Sequence, residues 1–489
     1  MAITRRAKIR SAFSSSSPTP RPSVCLETRD STVFRRQATF LVSASGGRDL
    51  QAQAARLANQ FIQQNRGILS QFGVASEIGY DGSTVDVVFR TSTRVGAIPL
   101  LSPTSGRPDY GLIIQPRFGW QGIGPMLSEM GWRIIPQPLR LPLLPRSDRK
   151  IPPWVLSTIV LFRLKALLDS LERRFEFSET DCPAPRGSVR WTQYATERLP
   201  SARFLNVPCR FPDLRDDREL KAAIHFTLRR QLVSLQGQRQ AGVVVLRLID
   251  LCLALLEKVR QVAPKEPAPL RFQSWLRGPL KTEVFRDGLQ AIEWTVEETG
   301  LAGLADLRGL PWMMSMDEFF EAWVEAILAR VVRHTGGQLR VGRKRETICP
   351  IVWNPPYAGS QKYLLPDLVL ERDSETLIID AKFKGHWEEL QLGRWAELDE
   401  VMREHHRTDL LQVLAYSTVA ASKTITSCLI YPCTFQTWES LKRQDRIVHR
   451  GNLRAGARNI GILLAAAPMI AGLDEVATEL AKFCFAGAS

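Results

Sequence analysis

The stretch "LLPDLVLERDSETLIIDAKFK", residues 364–384, constrains this chain more than any other. Two short apolar runs, "DLVLE" (367–371) and "TLIIDAKF" (376–383), flank "RDSE", whose composition suits a hairpin turn. The pair opens on Pro-Asp and closes on Asp-Ala-Lys. Carboxylates and ammonium groups are costly to bring near a core. A hairpin that delivers Asp367, Asp380 and Lys382 to one end therefore reads as a site. Side chains alternate along a strand, so Asp380 and Lys382 share a face while Ala381 turns toward the packing on the other.

The neighbouring segments set the fold class. "SMDEFFEAWVEAILARVVRHTGG" (315–337) is predicted helical, with Ser315 as cap, Glu318 three residues on, and Gly336-Gly337 as the stop. "QLRVG" (338–342) is a candidate strand. "TDLLQVLAYSTVAAS" (408–422) is predicted helical, and "TSCLIYP" (426–432) is a further strand. The series α-β-β-β-α-β implies a small mixed sheet flanked by helices.

Upstream, the pattern changes twice. Residues 31–150 carry short β-like runs at 83–89, 95–101 and 110–120, with one helical stretch at 48–73. A proline-rich basic connector follows at 139–153. From 154 onward, three segments have helical spacing: 154–177, 216–235 and 243–262. The expectation is a multidomain protein of α+β and α/β class. It comprises a disordered basic, Ser-rich tail (1–30), a β-rich N-terminal domain (31–150), a helical middle domain (151–300) and the C-terminal mixed-sheet domain (301–489). A length of 489 residues is ample for several cores.

Charge and composition narrow the partners. The net charge of +15 is uneven. Residues 1–150 hold 20 Lys+Arg against 9 Asp+Glu, and the remaining 339 hold 45 against 41. A basic N-terminal third suits a polyanion such as nucleic acid, or simply a solvated basic face. The eight cysteines form no C-x-x-C pair, which argues against a zinc ribbon or disulfide framework and fits a cytoplasmic setting. The most apolar run, 460–473, is too short to span a bilayer and contains Pro468, so no membrane partner is expected. "GWQGIGP" (119–125) lacks the lysine of a phosphate-binding loop and reads as a loop; no G-x-x-x-x-G-K-[ST] occurs. His405-His406 lack zinc-ligand spacing.

The chemistry follows from the acids. Two carboxylates at neighbouring strand ends repel unless a divalent cation lies between them. Mg²⁺ favours few carboxylates plus water and phosphate oxygens, with Mn²⁺ as a substitute. Such an ion polarises a phosphodiester, and a lysine beside it offsets developing charge. Two other D/E-x-K matches, "DRK" (148–150) and "ELK" (219–221), follow no apolar strand.

With "PD" opening one strand and "DAK" closing the next, the segment resembles the PD-(D/E)XK nuclease superfamily. The resemblance implies Asp367, Asp380 and Lys382 as the signature acid, acid and lysine. It also implies a helix-borne acid and metal ligand, here Glu321 after Phe319-Phe320, with Glu325 and Glu318 as alternatives. "QVLAY" resembles the Q-x-x-x-Y element of RecB-like members, giving Gln412 and Tyr416 supporting or DNA-contacting roles. Lys384, His386 and "GRKRE" (342–346) are candidate phosphate contacts or a solvated charged loop.

Three upstream stretches resemble the McrC family of McrBC-type restriction systems. They are "VGAIPLLSPTSGRPDYGLIIQPRFGW" (95–120), "APRGSVRWTQY" (184–194) and "VPCRFPDLRDDRELKAAIHFTLRRQL", where Cys209, Asp216 and Lys221 match. Ser188 and Arg218-Glu219 depart from the family pattern. Membership implies a Mg²⁺-dependent endonuclease subunit for double-stranded DNA. It also implies control by a separate AAA+ NTPase, a role in defence against foreign DNA, and a homodimer when both strands are cut. Nucleases of transposition or repair, and a non-catalytic adaptor that activates a motor, are the alternative readings.

Overall fold

The computed structural model describes residues 24–484 apart from 43–49, 83, 140, 142–151, 153, 172–173, 216–217, 269–271, 273–274, 276–281, 297–310, 386–399, 419–421, 423 and 456–457. Most of the expected tail and connector, together with His386 and Asp216, lie outside the described residues. The chain divides into two compact units: one from 1–152 together with 308–489, the other from 153–307. The N-terminal and C-terminal segments therefore belong to a single unit.

In the first unit, β1 (Val24–Arg29), β2 (Val33–Gln37), α1 (Leu50–Gln71), β3 (Val74–Asp81), β4 (Thr84–Thr91), β5 (Arg94–Leu100), β6 (Tyr110–Gln115), α2 (Trp120–Glu129) and β7 (Gln137–Pro138) build the β-rich portion. The end of the expected tail is corrected here: β1 pairs in parallel with β6, because Leu26 finds a buried place beside it. "GWQGIGP" is corrected too, since most of it begins α2, where Ile123, Met126 and Leu127 are buried. The apolar stripe of α1 (Leu57, Phe61, Leu69) packs with Val87 and Phe89 of β4 in one core. Buried Asn65 on α1 donates to the Leu101 carbonyl at 2.9 Å and accepts from its N–H at 2.7 Å, which ties α1 to the end of β5.

The second unit holds α3 (Trp154–Ser170), α4 (Arg218–Gln236) and α5 (Val243–Val259), as the helical spacing implied, and a further helix, α6 (Glu283–Val296), that the sequence reading did not assign. It also holds a three-stranded sheet of β8 (Arg174–Cys182), β9 (Ser188–Val189) and β10 (Val207–Arg215), in the order β8-β10-β9. The expectation of a wholly helical middle domain is thus incomplete. The last four residues of the first predicted helix, 174–177, belong instead to β8, which pairs antiparallel with β10. Cys209 is a buried residue of β10 whose sulfur accepts from the Arg186 N–H at 3.3 Å.

The chain then returns to the first unit. β11 (Trp312–Ser315) completes the N-terminal sheet, whose order is β1-β6-β5-β11-β7. Gly96 on β5 has φ 144°, and a Cβ there would fall 2.1 Å from the Trp312 carbonyl oxygen. The close pairing of β5 with β11 thus needs a residue without a side chain. Next come α7 (Met316–Thr335), β12 (Gln338–Val341), β13 (Cys349–Pro350), β14 (Tyr363–Leu364), β15 (Leu368–Arg372), β16 (Glu375–Ala381), α8 (Glu400–Ser417) and β17 (Thr424–Cys433). The elements α9 (Phe435–Arg443), β18 (Val448–Ala455), β19 (Arg458–Pro468) and α10 (Leu473–Cys484) close the chain.

The C-terminal sheet is mixed, in the order β12-β15-β16-β17-β19-β18. β15 and β16 form the antiparallel hairpin, turned through Asp373 at φ 52°. The β16-β17 and β17-β19 pairs are parallel. The helices α7, α8 and α9 pack on this sheet. Ser315 caps α7, its hydroxyl accepting from the Glu318 N–H at 3.3 Å. The apolar run at 460 becomes β19, beside β17. No helix among the described residues is long and apolar enough to cross a membrane. Replacing Gly96 with Ala is expected to lower stability by about 2–4 kcal/mol, read as a drop in thermal midpoint. An unchanged midpoint would show that β5 and β11 can separate at no cost.

Candidate active site

The hairpin register decides where the acids go. Leu368 pairs with Ile379, so the next step outward sets Asp367 opposite Asp380 at one end of the sheet. The Asp367 Oδ2 accepts from the Ala381 N–H at 2.9 Å. Lys382, just past β16, donates its N–H to the Ile430 carbonyl of β17 at 2.9 Å, so the backbone here is fixed from both sides.

Asp380 is fully buried, and neither of its carboxylate oxygens has a hydrogen-bond donor. Lys382 Nζ stands 2.8 Å from Oδ2, so the two form an ion pair. The same ammonium donates to Gln412 Oε1 at 2.9 Å, and Gln412 Nε2 donates to the Tyr416 hydroxyl at 2.9 Å. The two residues lie one turn apart on α8, and the chain Asp380–Lys382–Gln412–Tyr416 is continuous. Burial alone pushes the Lys382 pKa down, but Asp380 and Asp367 outweigh it, and the value lies above that of an ordinary lysine.

Glu321 belongs to this group. Its pKa is pushed from the ordinary 4.5 to about 7, first by burial and then by the Asp317 and Asp380 charges. Asp367 is held well above the usual carboxylate range by burial, Asp380 and Glu321. Three acids thus press on one another around one lysine. Glu325, one turn further along α7, is 2 % exposed and is taken up by other partners. It pairs with Arg133 at 2.6 Å, Arg343 at 2.5 Å and Lys344 at 3.4 Å. Among the three candidate acids of α7, only Glu321 enters the electrostatics of Asp367 and Asp380 so directly; the Glu318 charge acts on Glu321.

Lys384, a candidate DNA contact, is committed to an internal partner: its Nζ meets both oxygens of buried Asp409, at 2.6 and 2.8 Å. The Tyr431 hydroxyl donates to Asp409 Oδ2 at 3.0 Å. Asp409 was missed in the sequence, although it precedes Gln412 by three residues and Tyr416 by seven, a helical-face spacing. Arg117 was likewise given no role. Its Nη2 donates to the Phe383 carbonyl at 2.8 Å, and its guanidinium lies 4.4 Å from the Phe383 ring centre. Its Nε lies 3.3 Å from Oδ2 of buried Asp30.

Among the described residues, no group of three or more His, Cys, Asp or Glu side chains is gathered as a metal cage. The donor chemistry nevertheless suits a hard cation. Asp380 presents two buried carboxylate oxygens without donors, facing two further carboxyl groups. In this structure the Lys382 ammonium is the positive charge at that spot.

A family model described as McrBC 5-methylcytosine restriction system component matches residues 146–432, more than half of the chain. The chain belongs to this McrBC family. Among solved structures, it is similar at 12 % identity to the refined half-complex from a tetradecameric assembly of Thermococcus gammatolerans McrB AAA+ hexamers with bound McrC. That match covers 94 % of this chain and 99 % of that one at TM-score 0.40. A second likeness, to the cryo-EM structure of the Thermococcus gammatolerans McrBC complex, has 15 % identity and TM-score 0.26, covering 63 % and 88 %. At these scores neither likeness defines the fold of this McrBC family member. No curated protein matches the chain.

The acid cluster makes a pH-dependent prediction for this McrBC component in metal-free solution. Folding raises the Glu321 pKa, so the ionised carboxylate destabilises the folded state at pH values above about 7, and the cost vanishes below about 4.5, where both states are protonated. Glu321→Gln is expected to stabilise the chain in EDTA at pH 8 by about 1–3 kcal/mol, with the gain shrinking as pH falls toward 4.5. Thermal melts across that range check it; a gain independent of pH would mean that Glu321 is not the strained group.

Proposed function

We propose that the chain is the Mg²⁺-dependent DNA endonuclease subunit of a McrBC-like restriction and defence system, hydrolysing phosphodiesters under the control of a separate AAA+ NTPase. The observation that carries this reading is the fully buried Asp380 carboxylate, without a donor on either oxygen, facing Lys382 with Asp367 and Glu321 beside it. A structural salt bridge has no need of two further acids that repel it. The order of strands and helices around the hairpin supports the PD-(D/E)XK reading. Family membership and the McrB–McrC complexes among the similar structures are in keeping with an AAA+ partner.

On this reading Asp367, Asp380 and Glu321 would hold the cation. When bound, Mg²⁺ supplies the positive charge that stabilises a phosphodiester under attack. The chain's own groups do the rest. Lys382, kept protonated by its acidic neighbours, would offset negative charge that develops on a phosphate bound beside Asp380. Gln412 and Tyr416 hold its ammonium in place. In the metal-free chain Glu321, with a pKa of about 7, carries a proton part of the time near neutrality, so cation binding there competes with that proton. Arg117 and the Ile430 carbonyl fix the backbone on either side of Lys382, so the point from which its side chain extends is fixed. One site cuts one strand at a time, so a homodimer that presents two sites to a duplex is part of the proposal.

A plasmid nicking assay tests this, run with Mg²⁺ or Mn²⁺ and with or without the co-encoded motor. Asp380→Asn is expected to reduce cleavage at least about 100-fold while binding to the motor persists. Parental cleavage by that variant would end the metal-nuclease reading.

A further inference from the structure

The basic loop "GRKRE" (342–346) has no place in the mechanism above, yet its position is tightly controlled. Gly342 N–H donates to the Asp367 carbonyl at 2.7 Å, and Thr347 Oγ1 donates to the Pro366 carbonyl at 2.6 Å. A Cβ on Gly342 would lie 2.4 Å from the Pro366 oxygen, so only glycine lets the loop come this close. The loop is thereby fastened to the peptide that carries a candidate ligand.

Its cations gather on Glu325. Arg343 and Lys344 reach this carboxylate from the loop, and Arg133 reaches it from the segment after α2. One buried carboxylate is satisfied by one well-aligned arginine. Here it draws three cations, which leaves two positive charges in excess. The side chains stay in contact with water: Arg133 is 33 % exposed, Arg343 29 % and Lys344 58 %. Glu325 follows Glu321 by four residues, so the two lie on one face of α7, about 5–6 Å apart at Cβ. Because one nucleotide advances a strand by about 3.4 Å, the cluster stands within one or two nucleotides of the acids.

We propose that Arg133, Arg343 and Lys344, gathered on Glu325, seat a backbone phosphate of the DNA strand flanking the one at Asp380. The inference rests on the nuclease reading for the identity of the ligand. Glu325 acts as a positioning residue: it aligns three side chains in advance, and their surplus charge and donor forks meet the phosphate. Contacts to phosphate fix where the strand lies without reading its bases. The seat is therefore indifferent to sequence.

The test uses the full chain and labelled duplexes of several sequences. Calcium replaces magnesium to suppress cutting, and affinity is followed over a range of KCl concentrations. Lys344→Ala is expected to make the log–log salt slope shallower by about 0.9, and Arg343→Ala/Lys344→Ala by about twice that, equally for every duplex. Lys344→Arg is expected to keep the parental slope. Parental slopes in both alanine variants overturn the proposal, as does a parent chain without measurable duplex binding. If the double variant loses thermal stability, Lys344→Ala decides alone, because that exposed lysine is the most distant of the three from Glu325. Nicking is read separately. A parent that never nicks but shows the slope changes sinks the nuclease reading and leaves the phosphate seat standing. A parent that nicks while the slopes stay fixed sinks the seat alone.

Discussion

A carboxylate with no exposure to water and no hydrogen-bond donor is the constraint on which the rest of this structure turns. Asp380 follows the apolar run Leu377-Ile378-Ile379 near the end of its strand, and the opposite charge closest to it among the described residues is Lys382, two residues further along the same face. Such an arrangement is costly in isolation. It persists because the sheet leaves no choice: the hairpin register sets Asp367 opposite, β17 holds the Lys382 N–H, and α7 brings Glu321 in from above. Repulsion among the acids is thus built in by the backbone, and it is the reason a cation is the natural complement.

The N-terminal segment takes part in that frame. Arg117 grips the Phe383 carbonyl and ring just beyond the Asp-Ala-Lys triplet and is itself paired with buried Asp30. Glu129 at the end of α2 accepts the Gly472 and Leu473 N–H groups at 3.0 and 2.9 Å, satisfying free donors at the start of α10. β11, just ahead of α7, completes the N-terminal sheet, so the helix carrying Glu321 starts directly from it. A load on the β-rich portion therefore has a short path of packed groups to the acids.

Much of the site was legible because it is local. Pro-Asp, the turn and Asp-Ala-Lys lie within 21 residues, and strand alternation alone puts Asp380 and Lys382 on one face. Gln412 and Tyr416 were legible as an i, i+4 pair. Choosing Glu321 over Glu325 needed the resemblance, since helical spacing puts both on one face; only the packing separates them, by giving Glu325 to three cations. Lys384 looked like a free cation because its partner, Asp409, lies 25 residues away on another element. The strand at 24–29 was hidden for a similar reason: its stretch is basic and Ser-rich, and the edge that orders it, β6, comes some 80 residues later.

The sequence by itself determined the hairpin, the helices on either side of it and the identity of the three residues at its end, because turn chemistry and periodicity act over a few residues. Only the tertiary structure decided that those acids press on one another, that the two ends of the chain belong to one unit, and that a basic loop is fastened beside them. Those outcomes depend on which distant groups share a desolvated space. Burial multiplies the strength of every charge there, and no spacing rule within a strand or a helix can foresee it.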